Sequence, residues 1–348
     1  MTKFRSWLGV KRLWSGIRMN HSKETGKVFG ESNPKANSSR RGLHGLHLVA
    51  VTVVLAALAP VIGFASSVAP ELHEHLKRIA RFAKPSPMVT VPAGWFVMGT
   101  NRKDDDPFGF ATQYDDTEFP ARRIWLDTFA IDQYEVSLGE FLAFLDQAGL
   151  PVSAELQKLI WHLISVHYIP DQVLAPWPAL YVTWQEAVAF CQAQGKRLPT
   201  EAEWEKAARG TDGRIFPWGD TPPTDAIAVF GAYHVHEIPL VAAVDSYPEG
   251  RSPYQVHHLA GNVAEWVNDW LGADYYPIMP ERNPHGPKSG RYKSVRGGSW
   301  KSRPRMLRAA TRGGAFPEQR EATIGFRCAM SISSARAEES NGQDHLPR

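Results

Sequence analysis

The chain has 348 residues, 43% of them hydrophobic, enough to bury one large core or two small ones. Its 12 Trp, 28 Gly and 26 Pro argue against a helical bundle and for a turn-rich fold with aromatic packing. The formal charge of +3 is unevenly placed: residues 1–41 hold ten Lys/Arg against two Asp/Glu, while the remaining 29 basic and 34 acidic residues leave the rest at −5, which argues against nucleic-acid binding.

Residues 1–43 read as a disordered, basic cytoplasmic tail. Leu46–Ala65, LHLVAVTVVLAALAPVIGFA, has no charged side chain apart from the ionisable His47. At 1.5 Å rise per residue such a stretch matches a hydrocarbon layer about 30 Å thick, so a transmembrane helix is expected over 44–67. Pro60 is compatible with a span. Arg40 and Arg41 would hold the N-terminus in the cytoplasm and send the rest of the chain across, giving a single-pass inner- or plasma-membrane protein with a periplasmic or extracytoplasmic domain. A cleaved signal peptide, with Gly63-Phe64-Ala65 as a poor cleavage site, and a buried core helix are the rival readings. Residues 68–87 are expected to be an amphipathic stalk or linker. Within them Leu72, Leu76, Ile79 and Phe82 recur at helical spacing between basic residues, and Pro85-Ser86-Pro87 closes the segment.

The globular domain is expected over 88–332. Val89-Thr90-Val91-Pro92 and Trp95-Phe96-Val97-Met98-Gly99 read as two strands joined in a hairpin at Ala93-Gly94. Lys103–Thr117 reads as a loop, and Ile124–Ile131 alternates as one strand. Three capping boxes open helices: Ser137/Glu140 (to about Ala148), Thr183/Glu186 (to Gln194, stopped by Gly195) and Thr200/Glu203 (closed by Gly210). From Gly210 to Cys328 short strands alternate with long loops. The class is α+β with sparse regular structure, and 333–348 reads as a frayed tail.

Several motifs occur in order between Val89 and Ala329: GKRLPTEAEWEKAARG (195–210), Phe216-Pro217-Trp218-Gly219-Asp220, Ala260-Gly261-Asn262-Val263-Ala264-Glu265-Trp266, Arg296-Gly297-Gly298-Ser299-Trp300 and Gly325-Phe326-Arg327-Cys328. In these the chain resembles the formylglycine-generating enzyme (sulfatase-modifying factor) family. The resemblance implies a variant of the C-type lectin fold. It also implies a site just after Arg-Gly-Gly-Ser, where the oxidase binds copper through a Cys-x-x-x-x-Cys pair and converts a substrate cysteine to formylglycine.

Here that run is Trp300–Ala309, with Ser302 near the first thiol position, Met306 as a single soft donor and no cysteine between Gly297 and Arg312. Cu(I) requires soft thiolates, so neither copper nor formylglycine oxidase activity is expected. The remaining Cys191 and Cys328 are either joined, as C-type-lectin-like domains often join a helix cysteine to the terminal strand, or are two buried thiols. The resemblance further implies structural calcium at Gly261, Asn262, Val263 and Glu265. The alternative is that Asn262 and Glu265 bond loop backbone while Trp266 and Trp270 pack inward at helical spacing. A second calcium site of the family is damaged at Ala226-Ile227.

His234, His236, His257 and His258 could contribute to an iron or copper centre, although neighbours in an extended segment point oppositely; His73-x-His75 does not match the family's iron-binding motif. Trp300, Ser302, Arg303, Arg305, Arg308 and Arg312 are candidates to line a groove for a protein or peptide partner, with a solvated, salt-bridged face as the plain alternative. The leading functional expectation is a membrane-bound binding or accessory factor in maturation or assembly of an exported protein or membrane complex. A metal-dependent oxidoreductase (non-haem iron or copper) using another site, and a structural subunit of a membrane complex, are the alternatives.

Overall fold

The computed structural model describes residues 70–101, 116–232 and 239–332. The predicted membrane span and both tails lie outside them, as does the pair His234/His236. Among the described residues no helix is long and apolar enough to cross a membrane.

Helix α1 (70–81) is not a free stalk. Leu72 and Ile79 are buried in the larger core cluster, with Leu76 and Ala80 packed against it. A side chain at Gly139 would lie 3.2 Å from the Ile79 carbonyl and 3.3 Å from Ala83 Cα, so that glycine lets α1 approach the next helix closely. The apolar stripe read as a connector is therefore part of the domain wall.

Strands β1 (Met88–Val91) and β2 (Gly94–Met98) form where expected, but they do not pair with each other. β2 pairs with β3 (Arg122–Leu126), and β1 pairs with β4 (Phe129–Asp132), both antiparallel. The alternating stretch 124–131 is likewise two strands in two sheets, broken at Asp127 and Thr128. Alternation marks which face of a strand is buried; it does not say which strand lies alongside.

The capping boxes hold. Helices α2 (Leu138–Ala148), α5 (Trp184–Ala193) and α6 (Glu201–Arg209) each begin with both arms of the box made, at Ser137/Glu140, Thr183/Glu186 and Thr200/Glu203. Between them lie α3 (Ala154–Ser165), capped by Ser153, and the single turn α4 (Asp171–Leu174). The C-terminal part adds β5 (Ala264–Trp270), β6 (Lys293–Arg296), β7 (Arg312–Ala315), β8 (Ile324–Phe326) and β9 (Ala329–Ser331). Trp266 and Trp270 thus sit on a strand rather than at helical spacing. The sheets run β1-β4-β9, β2-β3 and β7-β6-β5-β8, with β5 and β8 parallel.

One core gathers α1, α2, α3 and α5 against Trp266 and Phe326; a second packs β2, β3 and β4 against Trp204, Val267 and Tyr276. Cys191 of α5 and Cys328, just before β9, are joined by a disulfide with Cα atoms 5.6 Å apart.

Candidate functional site

The segment 297–312 leaves β6 through two left-handed glycines, Gly297 (φ 90°) and Gly298 (φ 66°). A Cβ on Gly297 would sit 3.0 Å from the Trp204 ring, and one on Gly298 would sit 2.8 Å from the Met306 carbonyl oxygen. Only glycine lets the chain double back this tightly. Ser302 then closes the turn: its hydroxyl accepts from the Ser299 amide (2.9 Å), and its amide donates to the Ser299 carbonyl (2.8 Å). Trp300 is buried, donates its amide to the Asn262 carbonyl (2.7 Å) and its indole N–H to the Ala322 carbonyl (2.8 Å). The carbonyls of Trp300 and Ser302 accept from Ala232 and Gly231. One 3-10 turn, Pro304–Leu307, completes the segment.

The four arginines proposed to line a groove do not share a face. Arg308 turns inward and grips Glu118 with both terminal nitrogens (2.7 and 2.9 Å). Arg312 lies buried on both oxygens of Glu201 (2.8 and 2.9 Å) and on the carbonyls of Thr117 and Gly272. Burial alone would raise the Glu201 carboxyl, but Arg312 and Arg296 outweigh it and hold it at about 2. Arg303 is exposed and Arg305 half-buried. The segment therefore spends the cations at 308 and 312 on the interior rather than on a common groove.

The Gly-Asn-x-x-Glu segment is equally committed. Gly261 donates its amide to Gly297 (3.0 Å). The Asn262 amide group donates to Glu135 (2.6 Å) and its carbonyl oxygen accepts from Ala242 (2.9 Å). Val263 donates its amide to Glu135 (3.3 Å). Both oxygens of Glu265 receive the Arg327 guanidinium (2.6 and 2.7 Å), and one also receives the Trp204 indole N–H (2.9 Å). A calcium ion would have to displace a buried guanidinium from its carboxylate, so these residues do not fit one. Among the described residues no group of three or more His, Cys, Asp or Glu is arranged to hold a metal.

His257 and His258 bond loop groups instead of facing an ion. His257 Nδ1 lies 2.8 Å from the Ser246 carbonyl, and His258 Nε2 lies 3.2 Å from the Ala243 carbonyl. Burial, then the neighbouring His257, pushes His258 down to about 3, so its ring is neutral. His75 pairs with Asp171, which also holds Arg78, latching α1 to α4.

Sequence reading missed a buried charge lattice around α6. All nine residues of this helix are buried, Glu201, Glu203, Glu205, Lys206 and Arg209 included. Arg296 bridges Glu201 and Glu205 (both 2.7 Å), and Arg209 also binds Glu205 (2.9 Å). Glu135, next to Glu265 and Arg327, was missed too; burial first and Glu265 second raise its carboxyl well above the usual range. The available signal was an excess of arginines in the C-terminal motifs that matched acids in EAEWEKAAR.

The description "Sulfatase-modifying factor enzyme 1-like domain" matches residues 74–332. The chain belongs to the formylglycine-generating enzyme family. Formylglycine-generating enzyme of Mus musculus is 33% identical over 305 residues, covering 75% of this chain and 76% of that protein. The enzyme of Thermomonospora curvata is 34% identical over 292 residues, covering 70% of this chain and 92% of its own. Among solved structures, PvdO from Pseudomonas aeruginosa superposes with a TM-score of 0.54 at 26% identity, over 72% of this chain and all of that one. The family match begins at residue 74, inside α1, which agrees with that helix belonging to the domain.

The family's copper chemistry can be tested against the residues present. The turn at 299–302 offers two serine hydroxyls, 3.4 Å apart, already engaged with each other and with backbone. Both cysteines of the chain are spent on each other elsewhere. The donor set at 297–312 does not fit Cu(I).

Proposed function

We propose that this protein is a membrane-anchored, extracytoplasmic member of the formylglycine-generating enzyme family that carries no formylglycine oxidase chemistry. In this reading it serves as a binding or accessory factor in the maturation or assembly of an exported protein or membrane complex. The observation that carries the proposal is the fate of sulfur: Cys191 and Cys328 are bonded to each other, and the turn that follows Arg-Gly-Gly-Ser offers hydroxyls. Hydroxyls do not hold Cu(I) as thiolates do. The anchor rests on the apolar run 46–65 behind the cationic segment 1–41. Half-buried Arg305 lies beside the turn, where a guanidinium can meet a carboxylate of an acidic peptide partner.

The test of the catalytic half uses the full-length protein in detergent, supplied with Cu(I), dioxygen and a sulfatase-derived peptide carrying the substrate cysteine. Mass spectrometry is expected to return the peptide unchanged. Aldehyde formed above a protein-free control overturns the proposal. Alkaline carbonate extraction of membranes tests the anchor: the protein is expected in the pellet, and its recovery in the supernatant removes that part of the reading.

A further inference from the structure

β2 is an edge strand. Trp95 lies opposite Trp125 and Val97 opposite Arg123 in the β2–β3 pair. The Trp125 amide donates to the Glu281 carbonyl (2.7 Å), and its carbonyl accepts from Asn283 (2.9 Å), both on the far side of β3. In an antiparallel ladder one residue's N–H and C=O point to the same side, and the side alternates along the strand. Trp95 and Trp125 are therefore a pair without mutual hydrogen bonds. The N–H and C=O of Trp95, and those of Val97 two residues on, face away from β3. Residues 281–283 close the outer side of β3; no described residue closes that of β2.

Natural edges are usually blunted by a charge, a proline or a bulge on the strand itself. β2, GWFVM, has none of these. Phe96 and Met98 are buried beneath it, while Val97 on the outer face is 41% exposed. Trp95 meets Trp125 edge-on with centroids 5.6 Å apart. The Arg123 guanidinium lies 4.7 Å over the Trp95 ring, and that of Arg282 lies 4.7 Å over Trp125. The outer Trp is locked by Asp127, which accepts its indole N–H (3.0 Å) and is itself held by Asn283 (2.9 Å). The result is a rigid arginine–tryptophan ladder flanking an open backbone edge, with positive charge above it.

We infer that the β2 edge accepts an extended acidic segment of another protein as an added strand. The incoming backbone pairs with Trp95 and Val97, its apolar side chains lie on Trp95 and Val97, and a carboxylate meets Arg123. A second copy of this chain is a poorer occupant: β2, GWFVM, carries no carboxylate, so pairing it with itself leaves each Arg123 without an acidic partner. The site uses different strands from the 297–312 turn and holds whether or not that turn catalyses anything.

The test pans full-length protein in detergent against a displayed library of random decapeptides, then measures the enriched peptides by fluorescence anisotropy. Acidic sequences are expected. Val97→Pro removes an N–H that has no partner among the described residues and should weaken binding at least about tenfold, or about 1.4 kcal/mol. N-methylation of alternate peptide residues should abolish binding, and amide exchange at Trp95 and Val97 should slow in the complex. Arg123→Glu, on the exposed face, should invert the preference to basic peptides and carries the test if Val97→Pro does not fold. The inference is overturned if no peptide is enriched, or if binding ignores both substitutions. It is also overturned if sedimentation shows self-association that Val97→Pro removes.

Discussion

Replacing Arg327 by Met is the sharpest test of how this domain is held together. Arg327 is fully buried and makes five hydrogen bonds of 2.6–3.2 Å: two to Glu265 and one each to the carbonyls of Asp132, Gln133 and His257. Methionine fills much of the same volume and supplies none of them. Glu265 is left with the Trp204 indole N–H, beside Glu135, whose own carboxyl is already raised by burial and by Glu265. Removing one partner of a buried ion pair costs about 3–5 kcal/mol. Each stranded carbonyl adds about 1 kcal/mol where water does not reach it. A loss of at least about 5 kcal/mol is expected, comparable to the whole stability of a small domain. Urea unfolding followed by tryptophan fluorescence measures it. Adding Glu265→Gln to the Met variant should recover about 2 kcal/mol by removing the uncompensated charge. A loss under about 1 kcal/mol for Arg327→Met, or no recovery in the double variant, would refute the idea that this guanidinium neutralises the Gly-Asn-x-x-Glu segment.

The disulfide closes a separation of 137 residues, for which chain entropy sets an upper value of about 5 kcal/mol. Cys191→Ala/Cys328→Ala should lose about 2–5 kcal/mol, and a thiol titration of the unreduced protein in denaturant should find no free sulfhydryl. Asp269 is raised to about 8, first by burial and then by Glu201. Its folded value lies above its unfolded value, so the native state keeps a proton that the unfolded chain releases, and stability falls as pH rises from about 4 to 8. Asp269→Asn mimics the protonated form and can still accept from the Glu201 amide; it should stabilise the protein progressively over that window in pH-dependent melts, and a pH-independent effect would contradict the assignment. Gly298→Ala meets a positive φ and the Met306 carbonyl at 2.8 Å. It should lower the melting temperature by several degrees, equivalent to more than about 1 kcal/mol.

Local chemistry was legible where it is self-contained. Ser137/Glu140, Thr183/Glu186 and Thr200/Glu203 each announce a helix start, because a capping box is complete within four residues. Pairing was not legible. Ala93-Gly94 looks like a hairpin turn, yet β1 and β2 part there into different sheets, since their partners β4 and β3 lie more than twenty residues on. The candidate site failed for a related reason. Arg308 and Arg312 read as a solvent-facing cationic run because their acids, Glu118 and Glu201, are remote in sequence. Charges in EAEWEKAAR look solvated for the same reason: the arginine that buries two of them, Arg296, lies about ninety residues away. What could be read was the vocabulary of motifs; the matching of charge to charge needed three dimensions.

The sheet β1-β4-β9 has its first strand at residue 88 and its last at residue 331, on either side of β4. During synthesis β4 can acquire β1 early, but its other side stays bare until almost the whole chain has emerged. The domain is thus finished from its far end. A ribosome that stops before residue 329 releases an open sheet rather than a slightly smaller protein, and quality control would meet it as such.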